Sequence, residues 1–417
     1  MQDHVQTKHQ DELLPSMRYD SEPTASYIES CRMVRFRPAA GDRYSPQQRT
    51  MRFNLQDHCW LEPGSVRLQF QLNNLAGDII RPIAHPLAMF TSAKLYAGGQ
   101  LVECIEELGP LATILDKLKP FRRRLNDSMM SHVLTNGDGD GDARADLAGN
   151  HSRRCITELP LGLFKSAGKM IPLHLLQGLV VELTLGDALQ AIATTGTTVV
   201  SQAWDISDVA LCANCLAVNS AISVQYHNHL SQGLDMPISF SSVVGTRHIS
   251  VTNSFTLSLA RSLTHLKQLY FVMVSTAAGN KEVKDFKINV AGEGVNMDQD
   301  AFNWQVQVGS QRYPDFPVIG AAETYHRLLQ AAGVANNSDD ISITPASFVN
   351  TGAVFGINFE KLGDQTAFSG ISTRGQVLTL TVSNAWQGDN NPRTILVYQV
   401  YDSILNIRGP SGVDVVD

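Results

Sequence analysis

A short unit of strand, glycine turn and helix occurs twice in this sequence, and the duplication limits the fold more than any other feature. Residues 304–308 alternate apolar with polar side chains, as a strand with one solvated face does. Gly309 and the proline-containing segment 313–317 end the alternation. Apolar residues at i, i+3, i+4 and i+7 within 325–332 then predict a short helix that ends at Gly333.

The first copy lies about two hundred residues earlier. Residues 93–100 form a short strand pattern ending in glycines, residues 111–118 repeat the helical spacing, and Pro120 stops the helix. A strand follows in both copies, at 180–185 and at 377–382. The distance along the chain from the first strand to this later strand is longer in the first copy, by about the length of one Gly- and Asp-rich loop. The order of elements is therefore preserved, which indicates two similar units in tandem.

The remaining periodic segments predict further β structure. Residues 66–72 alternate apolar with polar side chains, as a half-buried antiparallel strand does. Other predicted strands are 204–218, 256–259, 269–274, 286–290, 354–359 and 394–401. Gly- and Asn-rich turns separate them, and a chain of 417 residues that is 43% hydrophobic can bury a large core. The sequence predicts an all-β sandwich or barrel architecture with few helices.

Both ends of the chain lack this periodicity. Residues 1–48 are rich in charges, amides and prolines, so we predict an extended N-terminal arm that is ordered against a neighbour, and residues 408–417 form a C-terminal tail. We place the first unit at 49–218 and the second at 219–407. Residues 1–15 contain no apolar signal core, and the chain has no run of about 18 apolar residues. We therefore expect a soluble protein that is made inside a cell and not secreted.

The charge balance argues against a nucleic-acid-binding protein. The chain has 40 acidic and 33 basic residues, a formal charge of −7, so a broad electrostatic contact with nucleic acid is not expected. Arg122, Arg123 and Arg124 form its dense basic cluster. We interpret this cluster as a solvated turn or a contact between subunits, with nucleic-acid binding as the alternative, and we expect no direct sequence-specific nucleic-acid binding.

The cysteines are typical of reduced thiols. Six are scattered through a long chain, unlike the framework of a small secreted disulfide protein. Cys212 and Cys215 form a C-x-x-C after a predicted strand, but there is no second pair and no suitably spaced histidine. We interpret both as buried structural thiols, with metal or redox chemistry as the alternative.

A Gly- and Asp-rich segment, Asn136–Asp146, has part of a calcium-loop pattern. Four residues match positions 1, 3, 5 and 6 of such a loop: Asn136, Asp138, Asp140 and Gly141. Position 12 falls on Leu147, where a bidentate Glu is required. We interpret the segment as an exposed loop, and calcium binding stays open as the alternative.

Histidines and carboxylates supply the remaining candidates. In an extended segment His227 and His229 would share one face and could hold a metal, but with no third ligand nearby we prefer a surface or interface pair. His326 is expected to be solvated or at an interface. The cluster of Glu103, Glu106 and Glu107 could supply a glycosidase pair, although such clusters are usually solvated. We therefore assign no catalytic residue, no metal ligand and no cofactor.

Several segments, taken in order, resemble the double jelly-roll major capsid proteins of the lineage that includes adenoviruses, tailless membrane-containing phages, giant DNA viruses, virophages and polinton-like viruses. The segments are 171–185, 304–317 with its helix, 368–384 and 397–407. Their order, more than any single motif, carries the resemblance, which spans residues 50–407. It implies an all-β fold of two tandem eight-stranded jelly rolls, each with a short helix, and no tall surface towers, because long insertions between strands are lacking.

The resemblance also implies a function. Three chains would form a pseudo-hexagonal homotrimer, and such capsomers would build the icosahedral shell of a double-stranded DNA virus or virus-like element. The expected partners are the chain itself, neighbouring capsomers, minor capsid or penton proteins and an internal membrane, and the expected location is the virion. The main alternative is a carbohydrate-active enzyme or lectin built on two jelly rolls, for which the four tryptophans lie far apart in sequence. Composition does not separate a third option, an accessory minor capsid protein.

Overall fold

The structure, a computed structural model, describes most of the chain. The described residues are 27–80, 85–131, 146–165, 167–176, 178–188, 201–275, 302–350, 352–361, 369–386, 392–409 and 412–417. Their strands form four β-sheets, and their α-helices are short. The α-helices are α1 (Leu108–Lys117), α2 (Phe121–Ser131), α3 (Gly162–Lys165), α4 (Ser220–Ser231), α5 (Gly320–Ala331) and α6 (Pro345–Asn350). None of these helices is long and apolar enough to cross a membrane.

The first half of the chain folds into two sheets. Its strands are β1 (Ile28–Phe36), β2 (Arg43–Tyr44), β3 (Thr50–Leu55), β4 (Trp60–Leu61), β5 (Arg67–Asn74), β6 (Phe90–Ala97), β7 (Gln100–Glu106), β8 (Ser152–Glu158), β9 (Ile171–Pro172), β10 (Leu179–Leu185) and β11 (Trp204–Val218). One sheet has the long strands β8, β5, β11 and β1, with β2, β4 and β9 as short additions. The other sheet has the order β3, β10, β6, β7.

The second half repeats this arrangement. Its strands are β12 (Met236–Ser250), β13 (Phe255–Leu259), β14 (Leu266–Ser275), β15 (Asn303–Val308), β16 (Gln311–Ile319), β17 (Phe355–Asn358), β18 (Leu378–Ser383), β19 (Arg393–Arg408) and β20 (Gly412–Val416). One sheet has the order β12, β19, β14, β17, with β20 paired to β19, and the other has the order β13, β18, β15, β16. Each long strand of the first half thus has a counterpart, which confirms the predicted fold class: two tandem eight-stranded jelly rolls, here the first roll and the second roll.

Alternating side chains explain why the sheets pack as they do. In β10 every second residue is buried, and Met51, Phe53 and Leu55 of β3 are buried in the same way, as expected when successive side chains point to opposite faces. On the outer face of this pair, Arg52 and Glu182 lie opposite each other and form an ion pair at 3.2 Å. The apolar face of each sheet therefore forms the core, and its polar face meets solvent.

The duplicated unit is larger than the sequence pattern indicated. In each roll the glycine turn is followed by a further strand before the helix: β7 after Gly98 and Gly99, and β16 after Gly309. Strand β16 contains the segment 313–317, which we had interpreted as a break. Its prolines are tolerated because β16 is an edge strand and because the register with β15 shifts between Val306 and Trp304. The predicted helices at 111–118 and 325–332 correspond to α1 and α5.

The predicted arm and tail differ from the structure where residues are described. Within the 1–48 arm, β1 pairs along its length with β11 and belongs to the sheet of the first roll, and residues 1–26 lie outside the described residues. Within the 408–417 tail, β20 pairs with β19 of the same chain. Strand β1 is exposed along most of its length and buries Phe36 at its end, and β20 has five residues, so neither segment carries a clear alternation of apolar and polar side chains. The predicted strand at 286–290 also lies outside the described residues.

Candidate functional site

The two rolls meet where β7 and helix α3 of the first roll pack against β12 of the second. Two glycines permit a close approach of the backbones. A Cβ at Gly162 would lie 2.0 Å from the carbonyl oxygen of Ser241, and a Cβ at Gly245 would lie 2.5 Å from that of Glu106. No side chain larger than hydrogen fits at such distances. We call this contact the junction.

Hydrogen bonds and ion pairs fix both ends of α1 at the junction. The Tyr398 hydroxyl donates to the backbone oxygen of Glu107 at 2.9 Å, and Arg247 forms an ion pair with the Glu107 carboxylate at 3.4 Å. At the other end of the helix, Ser342 donates through its amide at 3.1 Å and its hydroxyl at 2.8 Å to the backbone oxygen of Lys117. The first roll therefore has a defined orientation relative to the second.

Glu103 is the buried carboxyl group of the junction. It lies in β7 with 1% of its surface exposed, and its two oxygens accept the backbone N–H groups of Gly162 and Leu163, each at 2.9 Å. Burial raises the pKa of Glu103 to about 7, against the opposing effect of the hydrogen bonds from Leu163 and Gly162. This carboxyl group therefore holds α3 on β7, next to the point where Gly162 meets β12.

The counterpart edges are uncovered. Strand β16 occupies the position in the second roll that β7 occupies in the first, yet Phe316 is 57% exposed and Ile319 is exposed as well. Strand β1 is the counterpart of β12, and its Met33 is 71% exposed. Within one chain, β7 and β12 therefore cover each other, whereas their counterparts β16 and β1 are exposed.

The predicted carboxylate cluster is divided by the structure. Glu103 is buried at the junction, contrary to the solvated position we expected, Glu107 pairs with Arg247, and Glu106 is exposed. Strand alternation separates neighbouring side chains in β7, and Glu107 is the residue that precedes α1. The cluster therefore does not act as a pair. The burial of Glu103 could have been inferred from its position between the apolar residues Val102 and Ile105 in the sequence.

The condition for a shared face of the two histidines, an extended segment, is not met. His227 and His229 lie in helix α4 and not in an extended segment. Residues two apart on a helix point in widely different directions, so these imidazoles do not share a face. Both are exposed, and His326 is exposed on α5, in keeping with a solvated or interface position.

The basic cluster also lies on a helix and not in a turn. Arg123 and Arg124 belong to α2, which begins directly after Pro120. Arg124 contacts Asp116 of α1 at 2.7 Å and Arg123 contacts Asp127 at 4.0 Å. Two members of the cluster are therefore already paired with carboxylates of the same chain.

The two cysteines of the C-x-x-C lie apart. Cys215 is fully buried, and the Cys212 thiol donates to Gln69 Oε1 at 3.3 Å. Residues three apart on a strand point to opposite faces, so the spacing does not bring the thiols together. Of the calcium-loop candidate Asn136–Asp146, all residues before Asp146 lie outside the described residues.

The cavities do not favour carbohydrate chemistry. A cavity of about 550 Å³ lies between α4, Trp60 and the start of β12, and among its described lining residues Asp235 is the one carboxylate. A second cavity, of about 520 Å³, includes Glu106 and Asp417, but Asp417 is paired with Arg261 at 3.2 Å. Three tryptophans are buried in the core: Trp204, Trp304 and Trp386. They are therefore not available to stack on a sugar.

Solved structures resemble this chain over nearly its whole length. A chain of the PBCV-1 virus capsid has a TM-score of 0.66 at 10% identity, with 96% of this chain and 99% of that chain covered. The Faustovirus major capsid protein has a TM-score of 0.62 at 9% identity, covering 95% and 93%. The chain has the double jelly-roll fold of viral major capsid proteins. A chain of the Sputnik virophage structure gives a TM-score of 0.61 at 11% identity, covering 97% and 92%.

The double jelly roll is visible in the structure but not in sequence similarity. No protein-family model matches the chain, and no curated protein matches it in sequence. The overall fold is shared at identities near 10%, because many apolar side chains can fill the same alternating inward positions. The resemblance noted in the sequence analysis is confirmed at the level of fold.

Proposed function

We propose that this chain is the major capsid subunit of a double-stranded DNA virus or virus-like element and acts as a structural protein of the virion, not as an enzyme. The observation that supports this most directly is the whole-chain double jelly roll, shared with the PBCV-1 capsid chain and the Faustovirus major capsid protein. Two similar rolls in one chain allow three chains to present six similar blocks. The homotrimer then has a pseudo-hexagonal outline that can tile an icosahedral shell.

The junction inside the chain supports a proposal for how three chains form a closed ring. Within the chain, β7 of the first roll is covered by β12 of the second. The equivalent uncovered edges are β16 with α5 on the second roll and β1 on the first. A head-to-tail contact of β16 with β1 of the next chain would repeat the junction, and a heterologous contact whose rotation closes forms a ring. Three chains would make three junctions within chains and three similar contacts between them.

The uncovered edges have the composition of a contact surface. Phe316 on β16 is 57% exposed beneath the guanidinium of Arg327, 5.9 Å from the ring centroid, and Met33 on β1 is 71% exposed. Aromatic side chains, Met and Arg are enriched in protein interfaces. Edge strands with exposed apolar residues also tend to associate with other strands or chains unless they are covered. In the trimer, these two edges would cover each other.

The proposal is tested first by light scattering and negative-stain imaging of the purified chain. We expect a trimer with a pseudo-hexagonal outline, and a stable monomer would contradict the capsid proposal. Phe316→Asp and Met33→Asp should each convert the trimer to a folded monomer, because each places a charge in the contact. Val377→Asp is the matched control, since Val377 is also 57% exposed but lies outside both edges. If Val377→Asp dissociates the trimer and Phe316→Asp does not, the contact has been assigned to the wrong edge.

We further propose that residues 1–26 act between capsomers or toward minor capsid or penton proteins and an internal membrane. This retains the function of the predicted arm but moves its boundary, because β1 belongs to the first roll. The domain boundaries at 49–218 and 219–407 change accordingly, with α4 linking β11 to β12. Deletion of residues 1–26 should preserve the trimer and impair shell assembly. Normal shells from the truncated chain would remove the arm from the proposal.

A further inference from the structure

A carboxylate and two thiols converge in the first roll, outside the junction. The possible ligand atoms of Asp57, Cys59 and Cys215 all lie within 4.8 Å of one another. Cys215 lies in β11 and pairs with Leu61 of β4, so Cys59, which directly precedes β4, is brought beside it. The cluster therefore joins two parts of the chain that lie far apart in sequence.

The donor set suits a particular class of ion. Thiolate sulfur and carboxylate oxygen bind zinc at about 2.3 Å and about 2.0–2.2 Å, which in a tetrahedron separates neighbouring ligand atoms by roughly 3.5–3.8 Å. The atoms of this cluster are within 4.8 Å of one another, so ligation would require each to move by about 1 Å or less. Soft sulfur ligands favour zinc and other thiophilic ions over calcium or magnesium.

The surroundings of the cluster leave a route for an ion. Cys215 is fully buried and Cys59 is 3% exposed, whereas the Asp57 side chain keeps 20% of its surface exposed. Arg32 lies opposite Cys215 on β1 and donates to Asp57 Oδ2 at 2.7 Å. The carboxylate has two oxygens, and the Arg32 donor on one of them orients the group as the partners of metal-bound carboxylates do.

We propose that Asp57, Cys59 and Cys215 bind one zinc ion, or another thiophilic divalent cation, through three protein ligands. A water molecule would complete the tetrahedron on the side where Asp57 is exposed. The ion would connect β11 to the segment before β4, next to the uncovered edge strand β1. Because a site formed by residues 57–59 and residue 215 does not exist in the unfolded chain, binding the ion would stabilise the folded first roll.

The other cysteine of the C-x-x-C supplies a matched control. Cys212 is three residues from Cys215 on the same strand, but its thiol donates to Gln69 on the opposite face. Cys212→Ser therefore changes one buried thiol to a hydroxyl without touching the proposed site. This control separates loss of a ligand from loss of a buried cysteine.

The test uses the full chain, purified with reductant, stripped with chelator and titrated with zinc. We expect one zinc per chain by elemental analysis and a thermal midpoint raised by several degrees, both retained in Cys212→Ser. Cobalt added in place of zinc should give the absorption band of thiolate ligation. Cys59→Ser and Cys215→Ser should lose stoichiometric binding and the cobalt band, and Asp57→Asn should weaken zinc affinity by about tenfold or more.

Three results would overturn the proposal. One is a reduced wild-type chain that takes up no zinc and shows no cobalt band. The second is unchanged binding in both Cys59→Ser and Cys215→Ser. The third is a Cys59–Cys215 disulfide found by peptide mass spectrometry in protein kept under reductant. Because Asp57 is partly exposed and Asp57→Asn is close to isosteric, this variant tests the site even if a buried cysteine variant does not fold.

Discussion

Strands β7 and β16 occupy the same place in the two rolls but differ in what covers them. In β7, Val102, Glu103 and Ile105 are buried, because β12 and α3 cover the strand. In β16, Val318 is buried and Phe316 is 57% exposed. The two strands therefore have the same place in the topology of their rolls. The elements that pack against each strand decide which of its side chains are buried. The covered strand β7 contains a buried carboxyl group with hydrogen-bond partners, whereas the uncovered strand β16 contains the prolines.

The helices that follow these strands differ in the same way. Nearly all of α1 is buried, including Asp116 and Lys117, and the second roll contacts both of its ends. Helix α5 buries one stripe, Thr324, Leu328, Leu329 and Ala331, and leaves residues such as His326 exposed. A helix covered on one side needs polar residues on the other. This difference supports the proposal that a second chain covers α5 and β16.

The largest expected effect comes from removing the first strand of the first roll. Deletion of residues 1–45 removes β1 and β2 and takes Phe36 and Tyr44, 7% and 1% exposed, out of the core. Burial of two such side chains contributes on the order of 5 kcal/mol, comparable to the whole stability of a domain. We expect an insoluble or unfolded protein by circular dichroism. Deletion of residues 1–26 should melt like the full chain, and equal melting of both truncations would show that β1 is dispensable.

A Cβ at the junction should have the next largest effect. Gly162→Ala places a methyl group 2.0 Å from the Ser241 carbonyl if nothing moves, so α3 or β12 must shift. We expect a loss of about 3 kcal/mol, measured as a lower urea midpoint at constant slope. Gly168→Ala is the control, because no atom lies within 4 Å of its Cβ position. Equal midpoints for the two variants would mean that the rolls are not closely packed.

Glu103 should make the junction sensitive to pH. Its pKa is raised from 4.5 to about 7 in the folded chain, so the folded state binds the proton more tightly than the unfolded state. The resulting stability is fully present below pH 4.5 and is lost as the pH rises through about 7, on the order of 3 kcal/mol in total.

Unfolding by urea at pH 5.5 and at pH 8.5 measures this contribution. Glu103→Gln should flatten the pH dependence, because the amide does not titrate. Glu106→Gln, at an exposed neighbouring position, should keep the pH dependence of the wild-type chain. If the unfolding free energy of Glu103→Gln still falls between pH 5.5 and pH 8.5 as in the wild type, another group is responsible for the pH dependence.

Sequence reasoning succeeded where one face of an element is continuously apolar. Residues 204–218 were predicted as one strand, and β11 has these same bounds. Strand β11 buries consecutive residues from Val209 to Ala213, and such an apolar run is a local signal that can be seen without knowledge of the partner. Helix α4 was missed because it buries Leu230 and little else, so its residues carry no helical stripe, although Asn219 caps it.

The junction and the thiol cluster could not be predicted in this way. Glu103 depends on the N–H groups of Gly162 and Leu163, and Cys59 depends on Cys215. Partners so distant in sequence are brought together by sheet register, which one-dimensional patterns do not encode. The C-x-x-C spacing brings two thiols together in a turn or a helix. On a strand, residues three apart such as Cys212 and Cys215 point to opposite faces, so the thiols are separated.

The smallest expected effect concerns the two contacts of Glu107, which link α1 to the second roll. The Arg247 side chain is 55% exposed and its ion pair with Glu107 is screened by water, so Arg247→Ala should cost less than about 1 kcal/mol. The Tyr398 hydroxyl is buried and donates to the Glu107 backbone oxygen. Tyr398→Phe leaves that oxygen without its donor and should cost about 1–2 kcal/mol. Urea midpoints of both variants measure the difference, and a larger effect of Arg247→Ala would mean that charge, more than buried hydrogen bonding, orients the two rolls.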